Sequence, residues 1–207
     1  MKTKIAVMLG MLAAVAAFPA HAASVVDEWG AIQRPAAPAL KPVTLEAKTT
    51  ALLMLDFMNQ NCGKRPRCVA TVPAMKTLLE KARAAKATVI YSLIRNTTGA
   101  DVIKDVAPAA GEASVLSGPD KFIGTDLEKI LKEKGITTVI TVGTAANGAV
   151  LFTAAGAAFR GMNVVVPVDG ISSADPYADL TTAWTFTNAP QVSQKSTLTR
   201  SDMVTFK

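Results

Sequence analysis

The sequence predicts an α/β protein: a doubly wound, mainly parallel sheet covered by helices on both faces, a three-layer sandwich. Three observations carry that expectation. Short apolar runs rich in β-branched residues recur along the chain, segments with helical spacing lie between them, and Gly or a capping residue marks the passages from one to the next. Taken in order, the first strand is Ala51-Leu52-Leu53-Met54-Leu55, ending at Asp56. Its unbroken apolarity marks a strand buried on both sides. Residues 72–85 have helical spacing with Pro73 in the first turn, and residues 88–93 are again β-branched and apolar. Thr125 caps an amphipathic helix over residues 126–134, Gly135 stops it, and a strand follows at residues 138–142. Asn147 caps a helix of small residues that reaches Arg160, with Gly161 as its stop and a strand at residues 163–168. A last helix, residues 178–188, leads to a strand-like segment at 192–199. Strands and helices in succession imply parallel pairing through crossovers, and ligands in such folds bind beyond the carboxyl ends of the strands.

Composition sets the outer bounds. A chain of 207 residues, 50% hydrophobic and 18% charged, supplies one core of ordinary size, and its 13 Gly and 11 Pro give no sign of disorder or of a repeat array. Residues 1–22 read as a cleaved export signal: a basic tip, an apolar stretch from Ile5 to Phe18, and the small-x-small ending Ala20-His21-Ala22. The apolar run is too short to span a bilayer, which needs about 20 residues. The expected organisation is a signal peptide at 1–22, a proline-containing arm at 23–48 and one folded domain at 49–207. The expected location is periplasmic or secreted, with no membrane association after cleavage. Formal charge is +6, from 22 basic and 16 acidic side chains; loss of Lys2 and Lys4 leaves 20 against 16, a mature excess of +4. With no dense basic stripe and only 5% aromatics, nucleic acid is not an expected partner, whereas mild attraction of small anions is.

Cleavage removes His21, the sole histidine. A mature chain without histidine excludes Ser-His-Asp and Cys-His catalysis and His-ligated zinc, so no metal and no cofactor is expected. Proton transfer falls to Asp, Glu, Lys, Tyr or water. The two cysteines, Cys62 and Cys68, flank a turn containing Gly63 and Pro66 and are expected to form a disulfide in an oxidising compartment. That ring displays Lys64, Arg65 and Arg67, either as a solvated tip or as a guide for an anionic ligand.

Candidate chemistry lies at the carboxyl edge of the sheet. Asp56 ends the first strand, and the turn Gly143-Thr144-Ala145-Ala146-Asn147-Gly148-Ala149 presents backbone N–H groups at a helix start, suited to an oxyanion or carboxylate. Around these residues the sequence resembles the isochorismatase-like hydrolases, a superfamily that includes nicotinamidases and N-carbamoylsarcosine amidases. The resemblance runs from about Thr49 to the C-terminus. It is carried by Leu52-Leu53-Met54-Leu55-Asp56-Phe57, Phe122-Ile123-Gly124-Thr125-Asp126-Leu127, the segment from Val142 to Ala155, and Arg160-Gly161-Met162-Asn163-Val164-Val165-Val166. It implies a sheet of about six strands, frequent homo-oligomers, and an Asp, Lys and Cys triad. Asp56 matches the family Asp. Ala149 holds the position of the family Cys, so the thioester route is closed. The usual Lys position, about six residues before Phe122, is Leu116; Lys121 takes the role only if the loop is locally rearranged.

Isochorismatases proper resemble the family without that Cys and use an Asp as acid, so a missing thiol leaves two readings. In the first, the chain is a Cys-independent hydrolase of a small, preferably anionic molecule, with Asp56 as acid or base, Lys121 as electrostatic support, and N–H groups around Ala145, Ala146, Asn147 and Ala149 receiving negative charge. In the second, it is a catalytically degenerate member that binds a small molecule or assembles with copies of itself. A plain scaffold, packed through the small side chains of the 147–160 helix, is the blandest reading. An intact polar pocket holding Asp56 and Lys121 together separates the first from the last.

Overall fold

A computed structural model describes residues 23–207; the export signal expected at residues 1–22 lies outside them. Two compact units divide the described chain after Ala36. In the first, residues 23–36, a turn is held by Ser24, whose Oγ donates to Asp27 Oδ2 at 2.7 Å.

The second unit carries the sheet. Its strands are β1 (Val43–Leu45), β2 (Thr50–Leu55), β3 (Thr88–Leu93), β4 (Ala113–Leu116), β5 (Thr138–Thr144), β6 (Asn163–Pro167), β7 (Ile171–Ser172), β8 (Ser196–Thr199) and β9 (Val204–Phe206). Its α-helices are α1 (Pro66–Ala84), α2 (Leu127–Glu133), α3 (Leu151–Phe159) and α4 (Pro176–Asn188). The main sheet runs β4-β3-β2-β5-β6-β8, with the two-residue β7 pairing the end of β5 as a seventh strand, and every pairing is parallel. Separately, β1 pairs in parallel with β9.

Alternation along the central strands explains the three layers. On β2, Ala51, Leu53 and Leu55 face a core completed by Leu127 and Leu131 of α2, Ala154, Ala157 and Ala158 of α3, and Phe186 of α4. Leu52 and Met54 face the opposite core, filled by Val72, Met75, Leu78, Leu79 and Ala82 of α1. A strand with both faces covered has no polar side to display, which is why it reads as a continuous apolar run. Among the described residues no helix is long and apolar enough to cross a membrane.

Several boundaries differ from the sequence-based expectation. Helix α1 begins at Pro66 rather than at residue 72, so Pro73 lies inside it and not in its first turn. Pro66 supplies the N1 position, where a missing N–H costs nothing. Residues 147–160 open with a π turn, Ala146–Val150, before α3 proper. The segment expected to extend from 192 is strand only from Ser196. Strands β1, β4, β7 and β9 were not expected. Each is short, and β4 is an edge strand with a single buried residue, Val115, so it lacks the apolar run that betrays a central strand.

Candidate functional site

Asp56 leaves the end of β2 with φ 57°, in the left-handed region. That conformation costs on the order of 1 kcal/mol or more for a residue with a side chain, and Asp is among the residues that tolerate it best. Ser92, at the matching end of β3, fixes the result from two directions. Its Oγ accepts from the Asp56 backbone N–H at 3.0 Å and donates to Asp56 Oδ1 at 2.6 Å. On the other side of β2, Leu55 stands opposite Gly143 of β5. Gly143 has φ 136°, and a Cβ there would lie 1.9 Å from the Leu55 carbonyl oxygen, so only glycine permits this approach just before Asp56.

Lys121 comes to the same point from the loop after β4. Its Nζ donates to Asp56 Oδ2 at 2.9 Å, lies 2.9 Å from Oδ1 as well, and donates to the Gly118 carbonyl at 2.8 Å. The Lys121 side chain is 1% exposed and that of Asp56 9%. Two charges this deeply withdrawn from water hold only as a pair with further hydrogen bonds. The loop that delivers Lys121 is curled: Ser117 Oγ donates to the Asp120 carbonyl, and Thr153 Oγ1 on α3 accepts from the Lys121 backbone N–H at 3.2 Å while Thr125 Oγ1 donates to the Lys121 carbonyl. Leu116, the register position at which the resemblance places the family Lys, ends β4 and is exposed; the curl lets Lys121, five residues later, take the place beside Asp56.

Asp56 and Lys121 open onto a cavity of about 290 Å³, at the small end of the range for small-molecule sites. Its other walls are Asn61, Arg65, Ile94, Ser117 to Pro119, Thr144, Ala145, Gly148 and Ala149. Of the turn residues singled out from sequence, Ala145 and Ala149 line the cavity. Ala146 is packed into the core, and Asn147 is exposed, its Oδ1 accepting from Ser173 at 3.2 Å. The Ala145 carbonyl accepts from Gly148 N–H and Val150 N–H, which closes the turn beneath Ala149. The Thr144–Ala145 peptide is cis.

Cys62 and Cys68 are joined, with Cα atoms 5.2 Å apart, and both are buried. Their ring brings Arg65 to the cavity, where its Nη1 donates to Thr144 Oγ1 at 3.2 Å; Thr144 Oγ1 in turn donates to the Ser172 carbonyl. Arg67 points elsewhere and pairs with Asp179. Among the described residues no three His, Cys, Asp or Glu side chains converge as a metal site would require. Sequence reasoning did not single out Ser92, Thr153, Asn61 or Gly118. A buried hydroxyl in a β-branched strand or a small-residue helix carries no signal of its own.

Fold and site together define a parallel α/β sandwich with a polar cavity at the carboxyl ends of its strands. Residues 50–194 match the isochorismatase domain family, and the chain belongs to that family. A comparison with curated protein sequences finds no significant match. Solved structures similar to this chain include N-carbamoylsarcosine amidase from Thermoplasma acidophilum, at 26% identity and TM-score 0.65 over 74% of this chain and 97% of that one. A cysteine hydrolase from Pseudomonas syringae aligns at 19% identity and TM-score 0.68, covering 81% and 95%. Nicotinamidase/pyrazinamidase from Bacillus subtilis aligns at 17% identity and TM-score 0.66, covering 73% and 100%. The latter two likenesses speak to the fold.

Proposed function

We propose that this chain is an exported, periplasmic or secreted hydrolase that acts on a small anionic molecule without a cysteine nucleophile. The observation that carries the reading is the buried Asp56–Lys121 contact at the wall of a cavity large enough for a small substrate. Ala149, which we align with the family Cys, presents a methyl group to that cavity, so attack must come from water. Asp56 takes a proton from the water as it adds to the substrate and returns it to the leaving group, which balances hydrolysis with one carboxylate. Lys121 holds Asp56 in place and keeps positive charge next to the position where negative charge develops. Amidases recur among the similar structures, so amide and ureide bonds are the first to test, followed by enol ethers. Export is supported by the pattern of residues 1–22 and fits the Cys62–Cys68 disulfide. Phe152 and Phe159, exposed on the outer side of α3, support association of copies of the chain as a homo-oligomer.

One observation favours the competing reading, a binding protein derived from an enzyme: the methyl of Ala149 itself. A panel of small carboxylate-bearing amides, ureides and enol ethers, followed by NMR for both binding and turnover, separates the two. The hydrolase reading expects at least one compound to be consumed, and Asp56→Asn to slow that reaction by about 10²-fold or more. Compounds that bind but are never consumed overturn it in favour of the binding protein.

A further inference from the structure

We propose that Arg65 is the carboxylate receptor of the cavity, held in place by the Cys62–Cys68 ring, and that it selects a substrate bearing one negative charge. This deepens the function proposed above and rests on the same cavity being the working site. Three charged side chains line that cavity: Asp56, Lys121 and Arg65. The first two are committed to each other, so the lining carries one positive charge in excess, and it belongs to Arg65. A guanidinium has five N–H donors in a planar fork, and within the described residues Arg65 uses its side chain in one hydrogen bond, to the neutral hydroxyl of Thr144. The remaining donors suit a planar, two-oxygen anion. Asn61, on the same ring, adds an amide at the cavity wall.

The ring makes Arg65 a fixed feature rather than a swinging surface arginine. Arg65 stands midway between the two cysteines. Its N–H donates to the Cys62 carbonyl at 2.9 Å, and its own carbonyl accepts from Cys68 N–H at 2.9 Å and from Val69 N–H at 3.0 Å. Both cysteines are fully buried, so the covalent link ties the backbone on either side of Arg65 into the α1 core. Of the other ring cations, Lys64 is exposed and Arg67 is engaged with Asp179. A cavity of about 290 Å³ suits a compact acid. A carboxylate placed on Arg65 leaves the rest of such a molecule directed along the cavity that Asp56 and Lys121 also line.

The test compares crotonate with crotonamide, two probes of the same size and shape of which one is anionic, by NMR titration of the disulfide-bonded protein lacking residues 1–22. The expected result is at least tenfold tighter binding of crotonate. In Arg65→Gln that preference should vanish while thermal unfolding stays unchanged, and Arg65→Lys should retain only part of it, because an ammonium keeps the charge and loses the fork. Cys62→Ser/Cys68→Ser should weaken crotonate several-fold and leave crotonamide unaffected. Equal binding of the two probes, no crotonate binding, or a preference that survives Arg65→Gln overturns the assignment. Unchanged crotonate affinity without the disulfide overturns the role given to the ring. The titration reads binding and needs no turnover, so it can succeed even if the protein proves not to be a hydrolase, and the turnover panel above decides that question separately.

Discussion

Replacing Lys121 by Met exposes how the site is held together. The substitution keeps an unbranched side chain of similar length in a position 1% exposed, and it deletes the ammonium that contacts Asp56 at 2.9 Å and the Gly118 carbonyl at 2.8 Å. Asp56 is left with Ser92 as its side-chain partner, and its carboxylate becomes an uncompensated, largely buried charge. Breaking such a pair from one side costs about 3–5 kcal/mol, and the cavity edge that lets water reach Asp56 places the expected loss in the lower half of that range. Asp56→Asn strands the ammonium in the same way. Asp56→Asn/Lys121→Met removes both charges and should cost less than the two single losses added, by a coupling of about 1–3 kcal/mol. Urea unfolding of the four proteins at neutral pH measures all the terms, and repetition in 1 M salt should leave the coupling largely intact, because a largely buried contact is poorly screened. A loss below about 1 kcal/mol for Lys121→Met, or strict additivity, would refute the claim that the two charges are buried as a pair.

Two further outcomes probe the surroundings. Gly143→Ala drives a Cβ to 1.9 Å from the Leu55 carbonyl and should cost more than about 4 kcal/mol or abolish folding; a variant within 1 kcal/mol of wild type in urea unfolding contradicts the close approach. Tyr91 is held above its usual value of about 10 first by burial and then by the nearby Glu112 charge, its hydroxyl donating to the Val106 carbonyl at 2.9 Å. The folded value lies above the unfolded one, so the stability it contributes is complete below pH of about 10 and is lost as pH rises through the folded value. In Tyr177→Phe, which leaves Tyr91 as the lone tyrosine, tyrosinate absorbance should appear together with loss of the folded circular dichroism, and a tyrosinate signal near pH 10 in an intact fold contradicts the assignment.

What the sequence made legible follows from how each segment is buried. Residues 51–55 declared themselves as a strand because both faces of β2 are covered, which demands apolar side chains at every position. The β4 edge, with Val115 alone buried, left no such mark. The first turns of α1 were hidden because Pro66 to Cys68 lie within the disulfide ring, where Gly, Pro and charge read as turn. Asp56 could be placed at a strand end from pattern alone, but the partner that makes it unusual could not. Linear register pointed to Leu116, and the loop curled by Ser117, Thr125 and Thr153 substitutes Lys121 through hydrogen bonds between residues up to 32 apart in sequence. Arg65 was visible as charge on a ring; which of the ring's three cations faces the cavity is decided by tertiary packing alone.

The cavity collects several features that a purely structural protein has no reason to keep. A buried carboxylate–ammonium pair adds little stability over well-packed apolar residues of similar volume. Asp56 adds a left-handed backbone that costs stability, and Gly143 adds a position that accepts no side chain. Departures from the locally preferred residue tend to gather at functional sites, and here they gather around Asp56. Ala149 stands on the same wall without filling the space, since the cavity stays open beside it. If the role of this region were packing alone, Leu or Phe at position 149 would close the cavity and apolar residues at 56 and 121 would remove the desolvation cost. An open cavity lined by both charges and by Arg65 fits the proposed ligand site, and the excess positive charge at its wall is the reason the proposal names an anion.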